Sequence, residues 1–111
     1  MKTTLGVEGK TYTVHFVELR NTSLTHFCSY CQERRGHPVE LAITSIISSG
    51  GQDILQNEVI HLKVLKKLTE TVIADKVVCE QAECRDRMRH DMDRAYRKAG
   101  VKEDDEPQVP A

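Results

Sequence analysis

The sequence contains no tryptophan, and three tyrosines with two phenylalanines bring aromatic residues to only 5% of its 111 positions. Large rings supply much of the apolar area in small cores. A chain this short without them needs another source of stability, such as a metal, a disulfide or a partner subunit. No stretch approaches the ~18 consecutive apolar residues that a spanning helix requires. The opening MKTTLGVEGK also lacks the apolar core of a secretory signal. The chain therefore reads as soluble and cytoplasmic, with no membrane partner. In that compartment thiols stay reduced, and cysteines serve metal or redox chemistry more often than structural disulfides.

Charge of one sign is not in excess, since 16 Lys+Arg stand against 17 Asp+Glu. The balance conceals an uneven distribution. Glu103, Asp104, Asp105 and Glu106 are consecutive, and residues 1–102 carry 16 basic against 13 acidic side chains, a net +3. A mildly basic body with an acidic tail suits an anionic partner without requiring one. We read residues 1–100 as one domain and 101–111 as an acidic, proline-containing disordered tail.

The expected fold is α+β: an N-terminal β-hairpin, a cysteine knuckle, a central hairpin or helix, and a C-terminal amphipathic helix. In TYTVHFV (11–17), Tyr12, Val14 and Phe16 alternate with Thr13, His15 and Val17, the period of a half-buried strand. Glu8-Gly9 can turn residues 2–7 back onto it. VELAITSIIS (39–48) is β-branched and apolar, and Ser49–Gln52 is a turn. Beyond that turn, residues 53–60 fit either a returning strand or a helix beginning near Asp53. Leu62, Leu65, Leu68 and Val72 recur at helical spacing, while VIADKVV (72–78) could be strand-like. From Glu80 to Ala99, Met88, Met92, Ala95, Tyr96 and Ala99 share one helical face, and Gly100 ends it.

Against this background the four cysteines stand out as two pairs, Cys28-x-x-Cys31 and Cys79-x4-Cys84. A C-x2-C loop can aim two sulfurs at one tetrahedral ion, for which zinc is the usual choice. Residues five apart on a helix lie ~140° from each other. Cys79 and Cys84 can therefore share an ion only if Cys79 precedes the helix and Cys84 lies in its first turn. Glu80 and Glu83 suit such a start, because acids are favourable near the positive helix end. His26, His37 and His90 are spaced to replace one thiolate. Two other uses of the cysteines compete: a dithiol redox pair at Cys28 and Cys31, and four buried thiols acting as small hydrophobes.

The order of knuckle, hairpin-like segment and helix start resembles four-cysteine zinc-knuckle proteins of the treble-clef and zinc-ribbon type, although their second pair is usually C-x2-C. The resemblance rests on Cys28, Cys31, Cys79 and Cys84. It implies one structural zinc on those four residues.

Signatures of common enzymes are missing. There is no H-E-x-x-H, no P-loop, no dinucleotide-binding glycine pattern and no H-x-E with P-C-x-x-C. Four thiolates would close the metal shell that catalytic zinc keeps open. A non-enzymatic, regulatory zinc protein is expected. Its leading partner is DNA or RNA, held by Arg34 and Arg35 beside the knuckle and by Arg85, Arg87 and Arg89 beside the second pair. Arg87, Arg94 and Lys98 also form a helical strip, interleaved with Asp86, Asp91 and Asp93. The competing expectation is a protein-binding adaptor that uses the methionine face.

Overall fold

The computed structural model describes residues 1–72 and 76–103. Among them, β1 (Lys2–Val7), β2 (Lys10–Arg20), β3 (His37–Ser48) and β4 (Val77–Val78) form one antiparallel sheet in the order β1-β2-β3-β4. Helices α1 (Glu58–Val72) and α2 (Ala82–Ala99) complete a small α+β domain. Both helices pack on the same face of the sheet.

The alternation in β2 selects that face. Tyr12, Val14 and Phe16 are buried, joined by Leu5 of β1 and by Ile43 and Ile46 of β3. Glu8 and Gly9 turn the chain with φ of 52° and 80°, a primed two-residue turn whose twist matches a β-hairpin. The hairpin runs further than the alternating stretch, to Arg20, because residues 16–20 pair with 43–39 of β3. One extra residue, Thr44, interrupts the register between the His15–Ser45 and Phe16–Ile43 pairs, a bulge that re-aims the strand.

Three expectations need correction. Residues 53–60 do not return as a strand: Asp53 alone bridges to Ile47, and Ile54 N donates to Ile46 O. The helix begins later than Asp53, at Glu58, where the Asn57 side-chain oxygen accepts from Ile60 N at 3.1 Å and caps the first turn. On α1 the buried line is Val64, Leu68 and Val72, with Leu65 half-buried and Leu62 68% exposed. Leu62 lies two residues from Val64, about 200° round the helix from it. The last helix starts at Ala82, and Glu80 instead pairs with Arg20 at 2.6 Å. The strand-like reading of 72–78 holds for Val77–Val78, Val72 is helical, and residues 73–75 lie outside the described residues.

The methionine face of α2 is core. Met92 and Tyr96 are buried, Met88 and Ala99 partly so, and the Tyr96 ring meets Phe16 edge-on at 6.0 Å. Gly100 stops the helix in the left-handed region at φ 78°, with its N–H on Arg97 O and Val101 N on Tyr96 O. Val101 and Lys102 then continue along the body, where Lys102 and Lys2 exchange backbone bonds at 2.8 and 2.9 Å. The rest of the acidic tail, residues 104–111, lies outside the described residues.

One polar tie fixes α2 to the sheet. Arg89 donates from Nη1 to Glu18 Oε2 at 2.6 Å and from Nη2 to Oε1 at 2.8 Å, and the Tyr96 hydroxyl donates to the same carboxylate. Burial alone would raise the Glu18 carboxyl, but the donors on Arg89 and Tyr96 and the Arg89 charge outweigh it and hold it below the usual carboxylate value of 4.5. A depressed folded-state value means stability that is present above about 4.5 and lost as pH falls through the folded value. Replacing Glu18 by Ala, which leaves the Tyr96 hydroxyl without its acceptor, should cost about 1–3 kcal/mol. Urea unfolding at neutral pH and at about pH 3 checks the sign: the gap between wild type and Glu18→Ala should narrow in acid.

Candidate metal centre

The cysteines reach the centre from three pieces of backbone. Cys28 and Cys31 lie on a tight loop after β2. Its base is a bridge in which His26 and Gly36 exchange backbone bonds at 2.9 and 2.8 Å, and its tip is closed by Cys28 N to Glu33 O and Gln32 N to Cys28 O. Gln32 accepts a positive φ of 65° to make that turn. Cys79 immediately follows β4, and Cys84 lies in the first turn of α2 after the extended N-cap residue Gln81. The wide C-x4-C gap is thus spanned by a strand end and a helix start.

The four sulfurs lie within 4.8 Å of one another, and Cys31 Sγ is 3.8 Å from Cys79 Sγ. A tetrahedron of sulfurs about a metal at ~2.3 Å has edges of about 3.8 Å, so this donor set fits a tetrahedral ion. All four are free thiols; Cys28, Cys79 and Cys84 are buried and Cys31 is partly exposed. Among the described residues this is the only such group of potential ligands, and no histidine belongs to it. His37 directs Nδ1 to Leu24 O at 2.8 Å instead, and His26 and His90 are exposed. Four converging sulfurs also argue against a lone dithiol at Cys28 and Cys31, which would leave Cys79 and Cys84 with no reason to join them.

The thiols are electrostatically unequal. Burial opposes ionisation of Cys28, yet the backbone N–H groups of Cys31, Tyr30 and Cys79 and the Cys31 thiol outweigh it and hold Cys28 down at about 6. The Tyr30 N–H lies 3.4 Å from its sulfur. Cys84 is pushed up to about 12 by burial and by Cys79, Cys31 and Cys28 around it. The Arg35 guanidinium, 4.0 Å from Cys31 Sγ, would offset part of the negative charge of thiolates there.

Three residues that support the centre carry no metal-ligand signature. Ser29 N donates to Val77 O at 2.8 Å and Val77 N donates to Ser29 Oγ at 3.0 Å, tying the knuckle to β4. The Tyr30 hydroxyl donates to Asp91 Oδ2 on α2 at 2.8 Å. Gly36 passes so close to the knuckle that a Cβ there would meet Val77 Cγ1 at 2.6 Å and Cys28 Cα at 2.9 Å. A glycine five residues beyond a C-x2-C pair is the one signal that could have pointed to such a close approach.

Of the five arginines near the cysteines in sequence, Arg89 is engaged away from the site. Arg35 is at Cys31, and the Arg87 guanidinium lies 5.1 Å from the centre of the Tyr30 ring. Arg34 and Arg85 are exposed. Arg89 is turned to the sheet, where Glu18 and Asp93 occupy it. Helical geometry separates it from Arg87: the two are two residues apart, about 200° round α2, and emerge from opposite sides.

Fold and centre together define a small α+β domain organised around a four-cysteine cluster able to hold a metal ion. Comparison with protein-family models, curated proteins and solved structures finds no match for this chain.

Replacing Gly36 by Ala should force the knuckle away from β4 and cost about 1–3 kcal/mol, as overpacking does. Chelator titration of the metal-loaded protein should show weaker retention in Gly36→Ala than in wild type. Equal retention and equal thermal stability would show that the close approach is not needed.

Proposed function

We propose that this chain is a non-catalytic, regulatory zinc protein in which a structural four-thiolate ion fixes a surface for nucleic acid. The convergence of four sulfurs within 4.8 Å of one another carries the zinc part of the reading. Zinc binds thiolates strongly and imposes no geometry of its own, which suits a site whose shape the backbone decides. With four thiolate ligands the shell is closed, which favours a structural over a catalytic role.

The nucleic-acid part rests on the basic character of residues 1–102 and on guanidiniums held near the rigid centre. Arg34, Arg35 and Arg85 are exposed, and Arg87 is steadied on the Tyr30 ring. A second reading, a protein-binding adaptor, is favoured by a different observation. Leu24 is 46% and Phe27 61% exposed in the loop that leads into the knuckle. The salt response separates the two, because phosphate contacts weaken steeply as salt rises and apolar contacts do not.

Metal analysis of chelator-free, folded protein should find about one zinc per chain. A content below about half an equivalent would sink the zinc reading. A structural four-thiolate ion can contribute on the order of 10 kcal/mol to folding. Cys28→Ser should therefore raise hydrogen exchange not only in the knuckle but also across α2. Unchanged exchange in α2 would mean that the two cysteine pairs do not share an ion.

A further inference from the structure

Strand β1 is outermost in the sheet, and its outer edge is paired only at its start. Lys2 exchanges both backbone bonds with Lys102, at 2.8 and 2.9 Å, so its N–H and C=O point away from β2. Met1 O, by contrast, accepts from Phe16 N of β2 at 2.8 Å. These directions alternate along an antiparallel strand. Thr3, Leu5 and Val7 therefore bond to β2, and the N–H and C=O groups of Thr4 and Gly6 face the open edge. Both residues are exposed, and neither has a hydrogen-bond partner on that side among the described residues.

An open row of this kind is a template for another strand, and proteins usually blunt it with a charge, a proline or a bulge on the edge itself. Thr4 and Gly6 carry none of these, and residues 2–7 pair with 15–10 of β2 in unbroken register. The bridge to Lys102 shows that backbone from elsewhere in the fold already completes this edge at one position. A Cβ on Gly6 would meet nothing nearer than Lys10 O at 4.0 Å, so another backbone has room to approach.

Beneath the edge, a groove of about 290 Å³ lies between Gly6 and Val7 of β1 and Lys63, Lys66 and Lys67 of α1. Lys63 is paired with Glu8. Lys66 and Lys67 are exposed, and neither has a carboxylate at ion-pair distance among the described residues, although Glu70 shares the lining. A strand laid antiparallel on β1 would bond to Thr4 and Gly6 through residues whose side chains point to the outer face. Its alternate side chains, opposite Leu5 and Val7, would point inward over the groove, where carboxylates match the lysines. A second copy of this chain fits less well, because pairing β1 with itself turns the two lysine groups towards each other.

We propose that the β1 edge takes an extended acidic segment of a partner protein as an added strand, bonded to Thr4 and Gly6. Every second side chain of that segment, Asp or Glu, lies over Lys66 and Lys67. This surface is separate from the loop at Leu24 and Phe27 and from the arginines of the knuckle, so the proposal stands or falls apart from both readings above.

The test uses an end-blocked octapeptide of alternating glutamate and threonine, followed by amide hydrogen exchange of the full chain. At a peptide concentration of about ten times Kd, exchange at Thr4 and Gly6 should slow about tenfold. Thr3, Leu5 and Val7, already bonded to β2, should change little. The peptide N-methylated at its threonines lacks the N–H groups aimed at β1 and should not bind, whereas N-methylation at its glutamates should be tolerated. Lys66→Glu with Lys67→Glu should weaken binding about tenfold. Gly6→Pro removes an N–H that faces only the edge, where strands tolerate proline, and should abolish binding with the fold intact. If that variant disturbs folding, the N-methylated peptides put the same question to wild type. Equal binding of a lysine–threonine octapeptide, or no binding at about 1 mM glutamate peptide, would overturn the proposal. Binding without protection of Thr4 and Gly6 would overturn it too, and would mean that the lysines hold anions of any kind, oligonucleotides included. So would protection of those amides in the protein alone, in favour of a second copy if it grows with protein concentration and of another segment of this chain if it does not.

Discussion

The structure depends on bringing four sulfurs within 4.8 Å of one another. They come from a loop after β2, from the residue after β4 and from the first turn of α2, segments separated by as many as 47 residues of chain. Shared ligation would close that long loop and tie the edge of the sheet to the last helix. Burial, together with the neighbouring cysteines, disfavours ionisation of Cys84 and raises it to about 12. With an ion bound, the same cluster becomes a cross-link on the order of 10 kcal/mol. In a domain with no tryptophan and few other rings, that is comparable to the whole net stability of an ordinary small domain.

Helix α2 is the element that the rest of the fold positions most firmly. Its first turn holds Cys84, its middle is bound to β2 through Arg89, Tyr96 and Glu18, and the chain just past its end is bridged to β1 through Lys102. Tyr30 adds a fourth tie from the knuckle to Asp91. One consequence is a division of labour around the helix. The Met92 and Tyr96 side is core, the Arg89 side is spent on the sheet, and Arg94 and Lys98 are exposed on a third side. No described helix is long and apolar enough to cross a membrane, and the methionine stripe is accounted for by the interior.

Much of this was legible in the sequence, for definable reasons. Period-two alternation placed Tyr12, Val14 and Phe16 on one face because a strand has only two faces to choose from. Glu8-Gly9 marked the turn, Gly100 the helix stop, and the pairing of cysteines across 47 intervening residues suggested a shared ion. Residues 53–60 were ambiguous because a short apolar segment fits either period. The helix begins after Asn57 and not near Asp53 because the chain after Asp53 first bonds back to β3 through Ile54. On α1, Leu65, Leu68 and Val72 turn inward as their spacing implies, but Val64 takes the remaining buried position and Leu62 faces solvent.

What the sequence determined by itself was local and chemical: the strand and helix periods, the turn glycines, and four thiols in two pairs. Only tertiary structure decided which arginines remain available. Arg87 and Arg89 are indistinguishable by type and nearly adjacent in sequence, yet one rests on a knuckle tyrosine and the other is clamped to a strand carboxylate 71 residues earlier. Likewise the packing of α1 against β1 sets Lys66 and Lys67 beside the edge at Gly6. Charge availability depends on what lies opposite a side chain across the fold. Spacing along the chain fixes direction on a helix but carries no information about the partner that the direction meets.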